Sequence, residues 1–452
     1  MDKIRSTDDI HKLLREADGA SGTEIETILE KAARFEGLSP KNVAVLLMAT
    51  DKRHTDRIFE IAGQIKEHIY GKRIVVFAPL YISDYCVNRC SYCGFRDDSG
   101  KERRKLTLEE IKREVAILER MGHKRLAVES GEDPVNCPLD YVLECIDAIY
   151  STSDIRRVNV NIAALDAAGF RQLKEAKIGT YILFQETYNQ AAYESVHKAG
   201  PKADYSYHLM ALHRAMEAGI DDVGAGVLFG LYDYKYEVLA LMLHNEELEK
   251  SFGVGFHTIS VPRVRFAESW GGAFPYAVRD DDFLRLTAIL RMAVPYTGMI
   301  VSTRETPEMR RRLVKLGITQ MSAGSSAAVG GYSGSVDTGQ FSLSDHREAR
   351  DIFYWLMEEG ILPSFCTACY RSGRIGGNFM ELAKKGDIKN VCLPNGLLTL
   401  KEYALDHGDR RFNSLADTLI TENLTDIGDG NIRNLVKSKL LDLENGRRDI
   451  FI

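Results

Sequence analysis

Ile74-Val75-Val76-Phe77-Ala78, then Cys86-Val87-Asn88-Arg89-Cys90-Ser91-Tyr92-Cys93, then Thr107-Leu108-Glu109-Glu110 take the chain from a β-branched run through a cysteine-rich loop into a helix. A threonine followed three positions later by glutamate is the signature of a capping box. Behind it Ile111, Val115 and Leu118 share one helical face. The stretch therefore reads as one strand–loop–helix unit.

The same alternation repeats. Candidate strands are 125–129, 158–162, 180–184, 223–227, 257–261, 298–302 and 318–322, with helical segments such as 204–218 and 281–293 between them. Each strand is followed by a helix-like stretch, or at the last by a glycine-rich loop. Eight such units in roughly 250 residues predict a closed α/β barrel of the TIM type, (β/α)8. Ahead of it Ile25, Ile28, Leu29 and Ala32 recur at helical spacing, so residues 1–73 read as an N-terminal helical segment. The barrel occupies 74–360. After Gly360 the alternation stops, and 361–452 read as a separate, mainly helical C-terminal domain that opens on clustered Cys, Gly and Arg.

Of 452 residues, 44% are hydrophobic and 27% charged, which excludes global disorder. A balance of 59 basic against 65 acidic residues argues against a nucleic-acid partner. No apolar run approaches the roughly 20 residues that span a bilayer. The polar start Met1-Asp2-Lys3-Ile4-Arg5 lacks the apolar region of a signal peptide. A cytoplasmic protein with no membrane partner is expected.

The eight cysteines are the informative part of the composition. In a reducing compartment they are not expected to form disulfides. Cys86, Cys90 and Cys93 make one triplet; Cys366, Cys369 and Cys392 make another; Cys137 and Cys145 stand apart, the latter among core-like Tyr141, Val142, Leu143 and Ile146. Three thiolates fall short of the four ligands of a structural zinc. They can instead hold three irons of a [4Fe–4S] cube and leave the fourth open. The alternative at the first triplet is zinc with a remote histidine. At the second, the alternatives are a second iron–sulfur cluster or a zinc knuckle completed by His407. The first triplet falls on the loop after strand one, where barrel active sites are built.

C-x3-C-x-aromatic-C in that place resembles the radical S-adenosylmethionine (SAM) superfamily. The resemblance implies that SAM chelates the open iron of a [4Fe–4S] cluster and is cleaved to a 5′-deoxyadenosyl radical. It implies SAM contacts at Tyr92, at Ser130-Gly131-Glu132, at Glu186 in Gln185-Glu186-Thr187-Tyr188, and at His208, which aligns with a position often held by arginine. In Gly224-Ala225-Gly226, close cofactor approach and tight barrel packing each suit glycine.

Longer matches narrow the likeness. Ala78-Pro79-Leu80-Tyr81-Ile82-Ser83, Gly131-Glu132-Asp133-Pro134-Val135-Asn136-Cys137-Pro138, the run from Thr180 to Tyr188, and the second triplet with Tyr370-Arg371-Ser372-Gly373-Arg374 resemble the [FeFe]-hydrogenase maturase branch of the radical SAM tyrosine lyases. That branch shares its barrel with the thiazole-pathway tyrosine lyase. The resemblance implies cleavage of the Cα–Cβ bond of L-tyrosine to p-cresol and dehydroglycine, then conversion of the latter to CO and cyanide on iron at an auxiliary [4Fe–4S] cluster. Arg304 and Ser322 are implied to hold the tyrosine carboxylate, and His257 a fifth, labile iron. Implied partners are cysteine as carrier ligand of the iron product, other hydrogenase maturation proteins and an electron donor. Ser325-Ser326 stands where the family carries Ser-Cys, which keeps open a paralogue with an altered product. The alternatives are a tyrosine lyase that stops at dehydroglycine (2-iminoacetate) and a non-catalytic iron–sulfur carrier.

Overall fold

The computed structural model describes residues 7–264, 274–334 and 339–452. All eight expected strands form: β1 Arg73–Ser83, β2 Arg125–Ser130, β3 Arg157–Asn161, β4 Tyr181–Glu186, β5 Val223–Val227, β6 Thr258–Ser260, β7 Gly298–Val301 and β8 Gln320–Ser322. Each pairs in parallel with the next, and β8 and β2 both pair with β1, so the sheet closes into a barrel. Strands covered on both faces need apolar residues in nearly every position, and β1 is buried along almost its whole length.

The helix after β1, Leu108–Arg120, starts as its capping box predicts. The Glu110 amide donates to Thr107 Oγ1 at 3.3 Å, and the Thr107 amide donates to Glu110 Oε2 at 2.8 Å. The expected helix 204–218 is instead two pieces, Tyr205–Leu209 and Ala211–Glu217. It breaks at Met210, whose ψ of 4° leaves the helical well, two residues after His208 with its anchored ring.

A ninth strand, β9 Leu362–Ser364, was not expected. It pairs with Arg73–Val75, the part of β1 that β2 leaves free, since β2 begins its pairing at Ala78. Three residues with a central proline carry no alternation to read, and proline is tolerated there because the strand is at an edge.

Four helices precede the barrel: Thr7–Ala17, Gly22–Ala32, Pro40–Met48 and Lys52–Tyr70. The last packs on the barrel helix Asp280–Ala293. From that helix the buried Arg285 donates to the carbonyls of Leu46, Leu47 and Ala49, the orphan acceptors at the end of Pro40–Met48. Beyond β9 the chain is helical, with Ile388–His407, Arg410–Leu424 and Gly430–Glu444 packed together. One apolar core runs from Ile10 through the barrel to Leu443.

A buried ion pair fixes the mouth of the barrel at β8. Arg310 donates to Asp345 and to the carbonyl of Ser322, and both charged side chains are fully buried. Removing one partner would strand a desolvated charge. Asp345→Ala is expected to cost about 3–5 kcal/mol in a urea titration, and a cost below about 1 kcal/mol would show that this pair does not brace the strand end.

Candidate active site and thiol clusters

The two thiol triplets lie at opposite ends of the barrel. The first follows the C-terminal end of β1; the second gathers around Arg73, at its start. A strand of this length tilted by about 36° separates the ends by roughly 27 Å.

At the upper end Cys86, Cys90 and Cys93 open into one cavity, together with Tyr92, Ser130, Gly131, Glu132, Glu186, His208, Arg304 and Ser322. All the upper-site residues singled out in the sequence thus share one chamber. The loop is pinned by backbone bonds. The Val87 amide donates to the Glu132 carbonyl at 2.8 Å, Ser91 to Val196 at 2.9 Å, and Arg89 to Ala199 at 3.0 Å. Gly131 is required by this packing, because a Cβ there would lie 2.2 Å from the Tyr85 carbonyl oxygen. Burial pushes the Cys93 thiol up to about 11 and raises Cys90 further. Such thiols give up their protons readily only to a metal that offsets the charge.

The carboxylates of the cavity are arranged differently from one another. Glu132 accepts from Asn88 Nδ2 at 2.5 Å, and burial raises its pKa. Glu186 has φ of +67°, unusual for a residue with a side chain, and pairs with Lys202 Nζ at 2.7 Å. Burial opposes the charge on Lys202, but Glu186 and its neighbours outweigh it and hold its pKa above the ordinary lysine value. His208 is not a cation. Its Nε2 lies 2.9 Å from the Phe184 carbonyl, and burial lowers its pKa to about 3. The positive charge that a carboxylate would meet here belongs to Lys202. Tyr92 bonds through its hydroxyl to His197 Nε2 at 2.8 Å, which locks the aromatic ring of the motif between the cysteines and the 196–202 segment.

Arg304 does not pair with its sequence neighbours. Glu305 is held by Arg263 through two bonds of 2.8 Å, and Glu308 by Arg311. The Arg304 guanidinium instead stacks 3.6 Å from the Phe341 ring centroid, faces the cavity, and makes no ion pair among the described residues. Ser322 Oγ, buried in the same lining, has no hydrogen-bond partner among the described residues. Ser325 and Ser326 also reach the wall. Gly224 and Gly226 serve barrel packing: a Cβ would strike Thr258 Oγ1 at 2.6 Å and the Phe184 ring at 2.7 Å.

At the lower end Arg73 Nη2 donates to Cys392 Sγ at 2.8 Å, and Arg125 Nη2 to the Cys366 carbonyl at 2.9 Å. A hydrogen bond between the Cys392 and Cys369 side chains holds the Cys369 thiol below its ordinary value and lifts Cys392. Arg374 also bonds Cys369, and donates at 2.8 Å to the carbonyl of the last residue, Ile452. Three thiols ringed by arginines suit an anionic cluster. His257, just before β6, joins this end. Its Nδ1 lies 3.2 Å from Asp222 Oδ1 and its ring 4.6 Å from that of Phe379, in the segment that follows Cys369.

His407 is not a fourth ligand for this triplet. It follows Cys392 by 15 positions on the same helix, about 22 Å along the axis, and its ring packs on Tyr403. All eight cysteines are free; Cys145 is buried in the core as expected, and Cys137 is buried there as well. Among the described residues no three His, Cys, Asp or Glu side chains are arranged to hold a single metal ion. A cube, whose thiolates reach separate irons, is not bound by that requirement.

Lys202, Asn88, Tyr81 and Glu129 also line the cavity wall, none of them with a functional signal of its own in the sequence. The nearest signal for Lys202 was Gly200, whose φ of +92° and close approach to Asn88 bring the lysine back over the cysteine loop.

Residues 80–244 match the model of the radical SAM superfamily, and 260–362 that of the biotin and thiamin synthesis associated domain. The 2-iminoacetate synthase of Escherichia coli is 27% identical over 338 residues, covering 74% of this chain and 89% of its own. A crystal structure of HydG, a maturase of the [FeFe]-hydrogenase, superposes over 100% of both chains with a TM-score of 0.97 and 52% identity. The chain belongs to the HydG family. A second HydG structure, from Carboxydothermus hydrogenoformans, covers 96% of this chain and 97% of its own at 39% identity and a TM-score of 0.86. Like other HydG-family chains it is a radical SAM enzyme, a tyrosine lyase of hydrogenase maturation that uses a [4Fe–4S] cluster and SAM on a small-molecule substrate. The alternative of a non-catalytic carrier falls away. No helix among the described residues is long and apolar enough to cross a membrane.

Proposed function

We propose that this chain cleaves the Cα–Cβ bond of L-tyrosine at the upper cavity, releasing p-cresol, and converts the dehydroglycine fragment to CO and cyanide on iron at the lower triplet. The observation that carries the reading is the pair of thiol triplets at opposite ends of one barrel, the upper opening into a chamber that also holds an unpaired arginine. When bound, the upper cluster with SAM supplies the radical that takes a hydrogen from the substrate amine, and the lower cluster with a fifth, labile iron supplies the metal that the two small ligands come to occupy.

The chain's own residues do the rest. Cys86, Cys90 and Cys93 hold the upper cluster, and Tyr92, Ser130, Gly131, Glu132 and Glu186 surround SAM, with Lys202 rather than His208 carrying positive charge. Arg304 grips the substrate carboxylate in a charge-assisted fork, with Ser322 beside it, so that the reacting bonds are oriented before chemistry begins. Cys366, Cys369 and Cys392 hold the lower cluster and His257 the labile iron. The functional units are 1–73, 74–360 and 361–452. The product leaves on cysteine for other maturation proteins in the cytoplasm, and an electron donor serves the upper cluster.

The test is anaerobic reconstitution with iron and sulfide, followed by SAM, tyrosine and reductant. p-Cresol, CO and cyanide are the expected products. p-Cresol alone would select a lyase that stops at 2-iminoacetate, and no p-cresol would overturn the reading. Arg304→Lys, which keeps the charge but not the fork, is expected to raise the KM for tyrosine by roughly 10–100-fold, the equivalent of one or two charge-assisted hydrogen bonds. An unchanged KM would remove Arg304 from the carboxylate site.

A further inference from the structure

Among the carboxylates of the upper cavity, two are already engaged: Glu132 by Asn88, and Glu186 by Lys202. Glu129 is the third. It stands at the end of β2, directly opposite Tyr81 in the β1–β2 register, and its carboxyl bonds the Tyr81 hydroxyl. Tyr81 also reaches Gln340 Oε1 at 3.0 Å, and the next residue, Phe341, carries the stacked guanidinium of Arg304. Glu129 makes no ion pair among the described residues, and neither does Arg304. One unpaired carboxyl and one unpaired guanidinium thus face the same chamber, joined through Tyr81, Gln340 and Phe341. That is the charge complement of an amino-acid zwitterion.

We infer that Glu129 receives the α-ammonium group of the bound tyrosine and takes its proton, delivering the neutral amine from which the hydrogen atom is removed. The inference rests on the reading that Arg304 holds the α-carboxylate. In the transfer one N–H bond of the ammonium breaks, its electron pair stays on nitrogen, and an O–H bond forms on Glu129, with no change of oxidation state. The step matters because an amine N–H gives up a hydrogen atom more readily than an ammonium N–H, and the unpaired electron then left on nitrogen becomes half of the new C=N π bond when Cα–Cβ breaks. Burial pushes Glu129 up to about 7, with the Tyr81 bond and Arg304 working against it. A general base poised near the working pH is the efficient one. The groups facing it are Tyr81 from β1, Arg304 after β7 and Tyr332 after β8.

Tyrosine binding to the full chain with both clusters loaded, measured by equilibrium dialysis from pH 6 to 8.5, tests this without turnover. Below about pH 7 Glu129 is protonated and cannot receive the ammonium, so affinity is expected to fall about tenfold per pH unit on the acid side. In Glu129→Gln the dependence should flatten and p-cresol formation should drop by roughly 10²–10⁴-fold, while Glu129→Asp restores part of both. A Glu129→Gln enzyme with the parent's pH dependence and rate would overturn the inference. If Glu129→Gln fails to load iron, Glu129→Asp carries the test, and a flat dependence there overturns it. If Arg304→Lys leaves tyrosine affinity unchanged, the carboxylate assignment fails instead, a result distinct from any of these.

Discussion

Cys93→Ala is expected to bring both 5′-deoxyadenosine and p-cresol formation down by at least about a thousandfold, since the whole acceleration supplied by the radical initiator is lost. The reason is the count of ligands. The upper cavity offers three thiols, and an iron left open for SAM requires all three. Two thiolates hold no cube. Iron content should fall to about half, because the lower triplet remains. Folding should survive, because Cys93 sits on a loop already fixed by other contacts. Arg103 donates to the carbonyls of Asp84 and Phe95 at 2.9 Å each, and the Gly94 amide donates to Gln340 at 2.9 Å. Circular dichroism and iron analysis separate this from unfolding. Radical products at the parent rate would show that Cys93 is no ligand.

The barrel was legible because its strands are buried on both faces and announce themselves as apolar runs, and because helices follow them, several with a start signal such as Thr107, Asp166 or Thr306. Thr107 and Glu110 form the box their spacing implies. What escaped was short or set by tertiary contact. β9 has three residues and a proline, and exists because β1 overhangs the barrel. The break at Met210 follows from a side chain, His208, tied to a strand carbonyl that no local pattern reveals.

The site divides in the same way. Cysteines in a motif carry their meaning in their spacing, so both triplets were readable. Charge pairing is a property of the folded cavity. His208 stands in an arginine-like position, yet burial leaves it neutral and Lys202, six positions earlier, holds the charge. Glu129 reads in sequence as the last residue of a predicted strand, and only closure of the barrel sets it opposite Tyr81 and in the same chamber as Arg304. Arg304 is followed in sequence by Glu305, and only the fold shows that Arg263 holds that glutamate and leaves Arg304 to the cavity.

At the other end of the barrel, Cys369→Ala is expected to abolish CO and cyanide while leaving p-cresol within about threefold of the parent. Substitutions this far apart, with no shared partners, act independently. The lower triplet touches Arg73, Arg125 and Arg374, and none of these lines the upper cavity. Cys369 is the better choice than Cys392, which is buried within a long helix and bonded to Arg73, so that its loss also leaves a desolvated guanidinium. Cys369 lies at the edge of the core, and its removal takes away a ligand with little packing. Loss of CO and cyanide with p-cresol intact would assign bond cleavage to the upper triplet and ligand formation to the lower. Equal loss of all three products would sink that division, because it would mean that the lower thiols support tyrosine cleavage itself. Undiminished CO would remove them from the chemistry altogether.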